Sequence, residues 1–456
     1  MSPVTPSPHV WSLAPFLLLL AAMALAPVLA RTWWSRHYAT VALGLGAVVG
    51  GYYLLILHAT ARTGGTLHEY LSFVTLLGAL FVVAGGIHLR VPGPSRPGFN
   101  VAFLLFGALL ANLLGTTGAA MFLIRPWIRL NQARIKPYHL VFFIFIVANV
   151  GGCLTPIGDP PLFLGYLQGI PFWWVAQNCW PMWAMAVGLL LAVFFVLDQR
   201  NHARMPSDPR AAGHFGVRRQ VAAFKPDDTS SSSKAPAGPV SAATLGGTAA
   251  QSPNHWRLEG RFNFFFLAVI VGAVFLDHPA FLREGLMAAA ALGSYFTTKT
   301  SVHEANGFNF HPLQEVVILF AGIFATMMPA LDWLTCQTAN LPPPSPGQLY
   351  WGAGLLSSVL DNAPTYLAFF RAFVGGNGSD ASALLLHHAA GVAAISVGSV
   401  FFGAATYLGN GPNFMVKALA DEQKIPMPSF FAFVFKYALP WLLPVLAGVW
   451  LAFFRA

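Results

Sequence analysis

Residues 152–163 read Gly-Cys-Leu-Thr-Pro-Ile-Gly-Asp-Pro-Pro-Leu-Phe, and residues 403–414 read Gly-Ala-Ala-Thr-Tyr-Leu-Gly-Asn-Gly-Pro-Asn-Phe. Laid side by side, Gly152 meets Gly403, Thr155 meets Thr406, Ile157 meets Leu408 and Gly158 meets Gly409. Asp159 then meets Asn410, Pro161 meets Pro412 and Phe163 meets Phe414. Glycine and proline at this density interrupt a helix. Both stretches nevertheless lie inside apolar runs of membrane-spanning length. Irregular backbone at membrane depth persists only where it is buried in protein or lines a wet cavity. Broken segments at matching places in two halves of a chain point to the binding site of a secondary transporter.

The composition agrees with a membrane location. The chain has 456 residues, of which 56% are hydrophobic and 9% charged, and its mean hydropathy is +0.61. A soluble protein carries roughly 25% charged residues. The net charge of +9 falls largely in loops beside apolar segments, where it sets orientation; nucleic acid is not the expected partner. Cys153, Cys179 and Cys336 show no metal-binding or redox spacing and read as apolar packing residues. No Walker A, His-Glu-x-x-His or Gly-x-Ser-x-Gly sequence occurs, so neither ATP-driven transport nor an enzyme is indicated. The apolar run 11–30 lacks a preceding Lys or Arg and reads as a retained first span, not a signal peptide.

Apolar segments near 11–30, 38–59, 70–89, 138–167 and 171–197 make a first repeat, residues 1–197. Segments near 262–277, 284–298, 312–334, 386–420 and 428–454 make a second, residues 262–456. Residues 198–261, basic and rich in Ser, Ala, Pro and Gly, read as a disordered cytoplasmic linker. Two further segments, 99–127 and 346–371, are too polar in the middle to be simple spans. Arg31, Arg36, Arg90 and Arg96 mark cytoplasmic ends; Arg125, Arg129, Arg134 and Lys136 share that side only if 99–127 is a re-entrant hairpin. Each half then crosses the membrane an odd number of times, so the second is inserted upside down. The hairpins align as well, Leu109–Gly118 against Leu355–Pro364, with Arg125 meeting Arg371. The expected fold is an all-α polytopic membrane protein with an inverted-topology repeat, about ten spans, two re-entrant hairpins and two broken helices. Both termini are expected outside the inner membrane.

Asp159 and Asp361 are the informative charges, each in an expected backbone break at membrane depth. Asp159, directly before Pro160-Pro161, has a helix cap as its alternative use. Thr116, Thr117, Asn149, Thr155, Ser357, Ser358, Asn362, Thr406, Asn410 and Asn413 are the neutral candidates for transport and substrate binding. Asp361, Asn362, Thr155 and Asp159 are the candidates for a sodium site. Hydroxyls, amides and freed carbonyls suit a hard cation, whereas half-helix N-termini suit an anion, so spacing alone leaves both substrates open. Glu315 and Asp332 read as interfacial residues, as do His387 and His388.

The run Asn149-Val-Gly-Gly-Cys-Leu-Thr-Pro-Ile-Gly-Asp-Pro-Pro161, with Gly115-Thr-Thr-Gly118 before it and Leu360-Asp-Asn-Ala-Pro364 after, resembles the ion transporter superfamily. That group holds NhaD-type sodium/proton antiporters, arsenite permeases, citrate transporters and sodium/dicarboxylate symporters. The resemblance covers nearly the whole chain and implies opposed hairpins in an inverted repeat, with an elevator-type transport domain in better-known members. Dicarboxylate symporters carry Ser-Asn-Thr at both hairpin tips, which this chain lacks. The expected function is sodium/proton exchange, with Na⁺ and H⁺ as the transported ions and no cofactor; a citrate-type organic anion carrier is the alternative. The expected partners are the lipid bilayer and a small ion or organic anion, with a homodimer left open. Single cysteines introduced at positions 230 and 342 test the threading. The first should react with an impermeant thiol reagent only from the cytoplasmic side, the second only from outside; the reverse pattern removes the inverted arrangement.

Overall fold

The computed structural model describes residues 8–91, 96–204, 257–276, 278–338, 344–377 and 381–455. Helices α1 (Ala14–Leu29), α2 (Arg31–Gly51) and α3 (Thr60–Gly85) lead into α4 (Pro97–Asn131). A broken helix follows, made of α5 (Pro137–Ile146), a 3-10 turn (Val150–Gly152), irregular backbone and α6 (Pro160–Leu167). α7 (Trp174–His202) ends the first half. The second half contains α8 (Asn263–Ala273), α9 (Leu282–Thr297), α10 (Thr300–Ala305) and α11 (His311–Thr338). Next come α12 (Pro346–Val359), α13 (Asn362–Asn377) and the short α14 (Ala381–His387). A second broken helix comprises α15 (Ala389–Phe402), a 3-10 turn (Gly403–Ala405) and α16 (Gly411–Glu422). The last segment joins α17 (Phe430–Phe433), a π-helical stretch (Val434–Leu442) and α18 (Leu443–Phe453). Among the described residues, 7 helices are long and apolar enough to cross a membrane. The chain is an all-α polytopic membrane protein.

One of those seven, α4, is a hairpin. Asn100 near its start donates to Asn131 at its end, at 2.7 Å. Phe103 stacks on Trp127 with ring centroids 5.5 Å apart. In a straight helix Asn100 and Asn131 would be about 46 Å apart, and Phe103 and Trp127 about 36 Å. The reversal is at Gly115, whose φ of +73° is a left-handed conformation that suits glycine. The second hairpin is α12 and α13, folded back at Leu360-Asp361, so that Gly352 faces Phe369.

The two broken helices lie at the centre because their sequences are apolar all round. In α5 every residue from His139 to Ile146 is buried, and in α15 every residue from Gly391 to Phe402. α3 and α11 pack on each other and carry one hairpin each: α4 on α3, α13 on α11. The cross-pairing is reciprocal, since α6 packs on α13 and α16 on α4.

Four expectations need correction. The third span starts at Thr60, not near 70. Arg62 is tolerated inside it because its Nε pairs with Asp332 at 3.0 Å and its Nη1 donates to the Thr66 hydroxyl at 3.2 Å. Asp332 is accordingly buried, and accepts also from Tyr53 at 2.8 Å, so it is not an interfacial residue. The linker limits of 198 and 261 are too wide, although residues 205–256 lie outside the described part. α7 continues through Asp198 to His202 because the Asp198 carboxylate accepts hydrogen bonds from Asn100, Arg134, Tyr138 and His139. Residues Arg257–Glu259 form a strand, β2, antiparallel to β1 (His88–Arg90), with Leu89 opposite Leu258. Cys336 is exposed, in contrast to the buried Cys153 and Cys179.

The breaks are held by close backbone approach. A Cβ on Gly158 would overlap the Gly152 carbonyl, and one on Gly409 would lie 2.6 Å from the Gly403 carbonyl oxygen. Gly158→Ala and Gly409→Ala should each cost about 2–3 kcal/mol, as overpacking against rigid backbone does, read as a lower midpoint of thermal unfolding in detergent. Gly44→Ala, which meets nothing within 4 Å, serves as the control.

Candidate functional site

The four interruptions meet at one side chain. Asp159 is 1% exposed. Its Oδ1 accepts from the Thr116 hydroxyl at 2.7 Å and from Asn410 Nδ2 at 3.0 Å. Its Oδ2 accepts from Asn362 Nδ2 at 2.5 Å. Thr116 belongs to the first hairpin tip, Asn362 to the second, Asp159 to the first broken helix and Asn410 to the second. A buried carboxylate is tolerated only if protein donors replace its hydration. Among the described residues no Lys, Arg or His forms an ion pair with Asp159; its donors are neutral.

The aligned residues share local geometry. The Thr155 hydroxyl donates to the Asn112 carbonyl at 2.6 Å, and the Thr406 hydroxyl donates to the Ser358 carbonyl at 2.7 Å. Each threonine oxygen in turn accepts from the glycine three residues on, Gly158 or Gly409, at 3.1 Å in both cases. Thr116 N–H donates to the Gly158 carbonyl at 2.8 Å, and Asn362 N–H to the Gly409 carbonyl at 3.2 Å. One hairpin tip is thus stitched to one broken helix twice over, by the same contacts.

Not every candidate reaches Asp159. Asp361 is at the N-terminus of α13, where its Oδ1 accepts from Ala363 N–H at 3.1 Å, the bond of a helix cap. Asp159 precedes α6 but makes no such bond. The capping use weighed for Asp159 is therefore the one Asp361 fulfils. Thr155 is occupied by Asn112 and Gly158, so of the other sodium-site candidates Asn362 bonds to Asp159 directly and Asp361 lies near enough to act on it electrostatically. No group of three or more His, Cys, Asp or Glu suited to a metal occurs among the described residues. Asn149 bridges the halves: its Nδ2 donates to Asn413 Oδ1 at 2.6 Å and its Oδ1 accepts from Asn410 at 3.2 Å. Asn413 Nδ2 holds the Gly403 and Thr406 carbonyls, at 2.8 Å each. Ser357 donates to the Ser399 carbonyl at 2.6 Å, and Ser358 to Leu355 in its own helix at 2.7 Å. Thr117 lines a cavity of about 30 Å³ beside Asp159, closed by Leu76, Leu80 and Phe163.

Asn112 was not among the candidates, although its side chain pins the first break. Its Nδ2 donates to the Gly151 carbonyl at 2.7 Å and its Oδ1 accepts from Leu154 N–H at 2.8 Å. The available signal was an amide inside an apolar hairpin arm, three residues before Gly115. Asn112→Leu should leave the Leu154 N–H unpaired and the Gly151 carbonyl with Trp183 Nε1 as its remaining donor, and cost about 1–3 kcal/mol, measured as a loss of thermal stability, with Asn112→Gln intermediate.

Comparison with known proteins gives one family. The model of the CitMHS_2 family, described as "Putative citrate transport", matches residues 6–454. No curated protein matches the chain. A match over nearly its full length, on an all-helical membrane fold whose irregular segments converge at mid-chain polar residues, places the protein: it belongs to the citrate-transport family CitMHS_2 and is a multi-pass membrane transporter.

Proposed function

We propose that the protein is a cation-coupled secondary transporter in which Asp159 carries the coupling cation, exchanging H⁺ for Na⁺. The observation that carries this reading is the environment of Asp159: a buried carboxylate held by Thr116, Asn362 and Asn410, with a small cavity alongside. A carboxylate whose donors are all neutral can take up a proton or a metal cation without displacing a resident positive charge. The cavity of about 30 Å³ has room for one water-sized particle, which needs roughly 10–15 Å³. The reading also takes the two halves as inverted repeats, supported by the matched Thr155 and Thr406 contacts. In that frame the hairpins are re-entrant and the lipid bilayer surrounds the outer helices.

The family description favours a second reading, transport of a citrate-type organic anion. Its structural support is that α6, α13 and α16 all begin at the breaks, and helix N-termini attract anions. Asp159 keeps its cation-carrying role in that reading.

The test is transport in proteoliposomes. Asp159→Asn keeps the side-chain shape but removes the charge and one acceptor oxygen, and should abolish sodium-driven proton movement in a protein that still inserts and folds. Asp361→Asn should retain most of the rate, because Asn caps a helix about as well as Asp. Wild-type exchange by the Asp159→Asn protein would end the proposal. Sodium- or proton-dependent citrate uptake, without exchange of one cation for the other, would select the second reading.

Thr116→Val should weaken cation binding without abolishing transport. Loss of one hydrogen bond to a charged group amounts to about 1.5–3 kcal/mol. Titration of the purified protein with Na⁺ should show a correspondingly higher dissociation constant.

A further inference from the structure

The polar atoms left without a partner are not scattered. Among the described residues, the buried side-chain atoms with no hydrogen bond belong to His303, Asn362, Tyr366, Arg371 and Ser399. Three of these, Asn362 Oδ1, Tyr366 Oη and Ser399 Oγ, lie on the facing helices α13 and α15, and all three residues are fully buried. Buried hydroxyls and amides are almost always satisfied, commonly by internal water.

The packing register places the three in one file. α13 runs away from the centre and α15 runs toward it. Their antiparallel contact is fixed at both ends, by Asn362 near Gly403 and by Phe373 against Gly391. Between those points the Tyr366 hydroxyl lies within loose reach of the Ser396 hydroxyl, without a well-formed hydrogen bond to it. Residues four apart share a helix face, so Asn362 and Tyr366 look the same way along α13, and Gly403 and Ser399 the same way along α15. Ser399 therefore faces the stretch between Asn362 and Tyr366. From Gly403 to Ser396 the seam is about 10 Å long. Its inner end is Asp159, through the Asn362 Nδ2 bond of 2.5 Å.

The outer end lies under the turn that closes α6. The Tyr366 hydroxyl rests on Gly165, where a Cβ would overlap it. Gly165 accepts from the N–H groups of Gln168 and Ile170, and Gly169 in that turn is exposed. Gln168 donates to Glu69 at 3.0 Å, and Glu69 faces Arg371 at 3.7 Å. Phe370, stacked on Tyr366 at 5.8 Å, and Phe373 seal the seam along α13. The other titratable groups around it are the buried thiols Cys153 and Cys179, near Tyr366.

We propose that the α13–α15 seam is a hydrated proton file serving Asp159, with Tyr366 and Ser399 as its hydroxyl steps. A proton enters from water beneath the 165–170 turn. Each hydroxyl or water accepts one proton and passes one on; at the inner end a water held by Asn362 Oδ1 gives the last proton to the Asp159 carboxylate, which becomes the carboxylic acid, while the Asn362 amide itself carries none; the return journey reverses each transfer. The inference rests on Asp159 as the ion-carrying group.

The measurement is infrared spectroscopy of the purified full-length protein after a rapid drop in pH, following the carboxylic-acid band that Asp159→Asn removes. Tyr366→Phe and Ser399→Ala should each slow the rise of that band by roughly tenfold, the effect of removing one hydrogen-bonded step. Ser399→Thr, which keeps the hydroxyl, should restore it. Neither change should alter the final amplitude of the band or the midpoint of thermal unfolding, which a purely structural role would move. Wild-type rise times in both hydroxyl variants would overturn the file while leaving Asp159 as the ion carrier. Absence of any band sensitive to Asp159→Asn would overturn the ion-carrier reading and the file with it.

Discussion

A single buried carboxylate imposes the constraint on which this architecture depends. Asp159 is almost completely removed from solvent, and a carboxylate in that position must find donors in the protein. It finds them on three different interruptions: Thr116, Asn362 and Asn410. No regular helix could present them. A threonine hydroxyl and two amides converge on one carboxylate because four helices stop near the same point. Glycines let the backbone approach closely there, as Gly152 does to Gly158 and Gly403 to Gly409.

The two broken segments share local hydrogen bonds but differ in chemistry. Thr155 and Thr406 make the same pair of hydrogen bonds in their own halves. Yet the position of Asp159 is Asn410 in the second half, and the position of Gly115 is Asp361. Asp159 comes from the first half, and two of its three donors, the Asn362 and Asn410 amides, come from the second. A pair of equivalent carboxylates facing each other at the centre would repel strongly in so dry a place. Replacement of one by an amide turns that repulsion into a hydrogen bond, the Asn410–Asp159 contact at 3.0 Å.

Farther out, buried charges are paired. Asp198 ties the ends of α4, α5 and α7 through Asn100, Arg134 and His139. Asp332 ties α11 to Arg62 of α3 and to Tyr53. These ion pairs hold the scaffold ends, whereas the centre has none, and that contrast separates positions that stabilise the bundle from the one proposed to bind a cation. The family to which the chain belongs is described by citrate transport, and the helix N-termini at the breaks are compatible with an anion beside such a cation.

Much of this was legible in the sequence because it follows from rules of short range. Hydropathy marked the chain as a helical membrane protein, the polar centres of 99–127 and 346–371 marked the hairpins, and Gly and Pro density located the two broken helices, since both residues interrupt helical hydrogen bonding wherever they occur. The self-similarity of 152–163 and 403–414 brought Asp159, Asn410, Thr155 and Thr406 forward together. What the sequence left open was which polar group faces which. Asp159 and Asp361 each precede a half-helix, and local pattern cannot tell a capping carboxylate from one turned toward the other half of the chain. Nor could it mark Asn112, Tyr366 or Ser399, or show that Arg62 extends α3 by pairing with Asp332, a residue 270 positions away. Those assignments belong to the tertiary structure, because a buried polar side chain takes its role from the partner that replaces water, and that partner comes from a distant part of the chain.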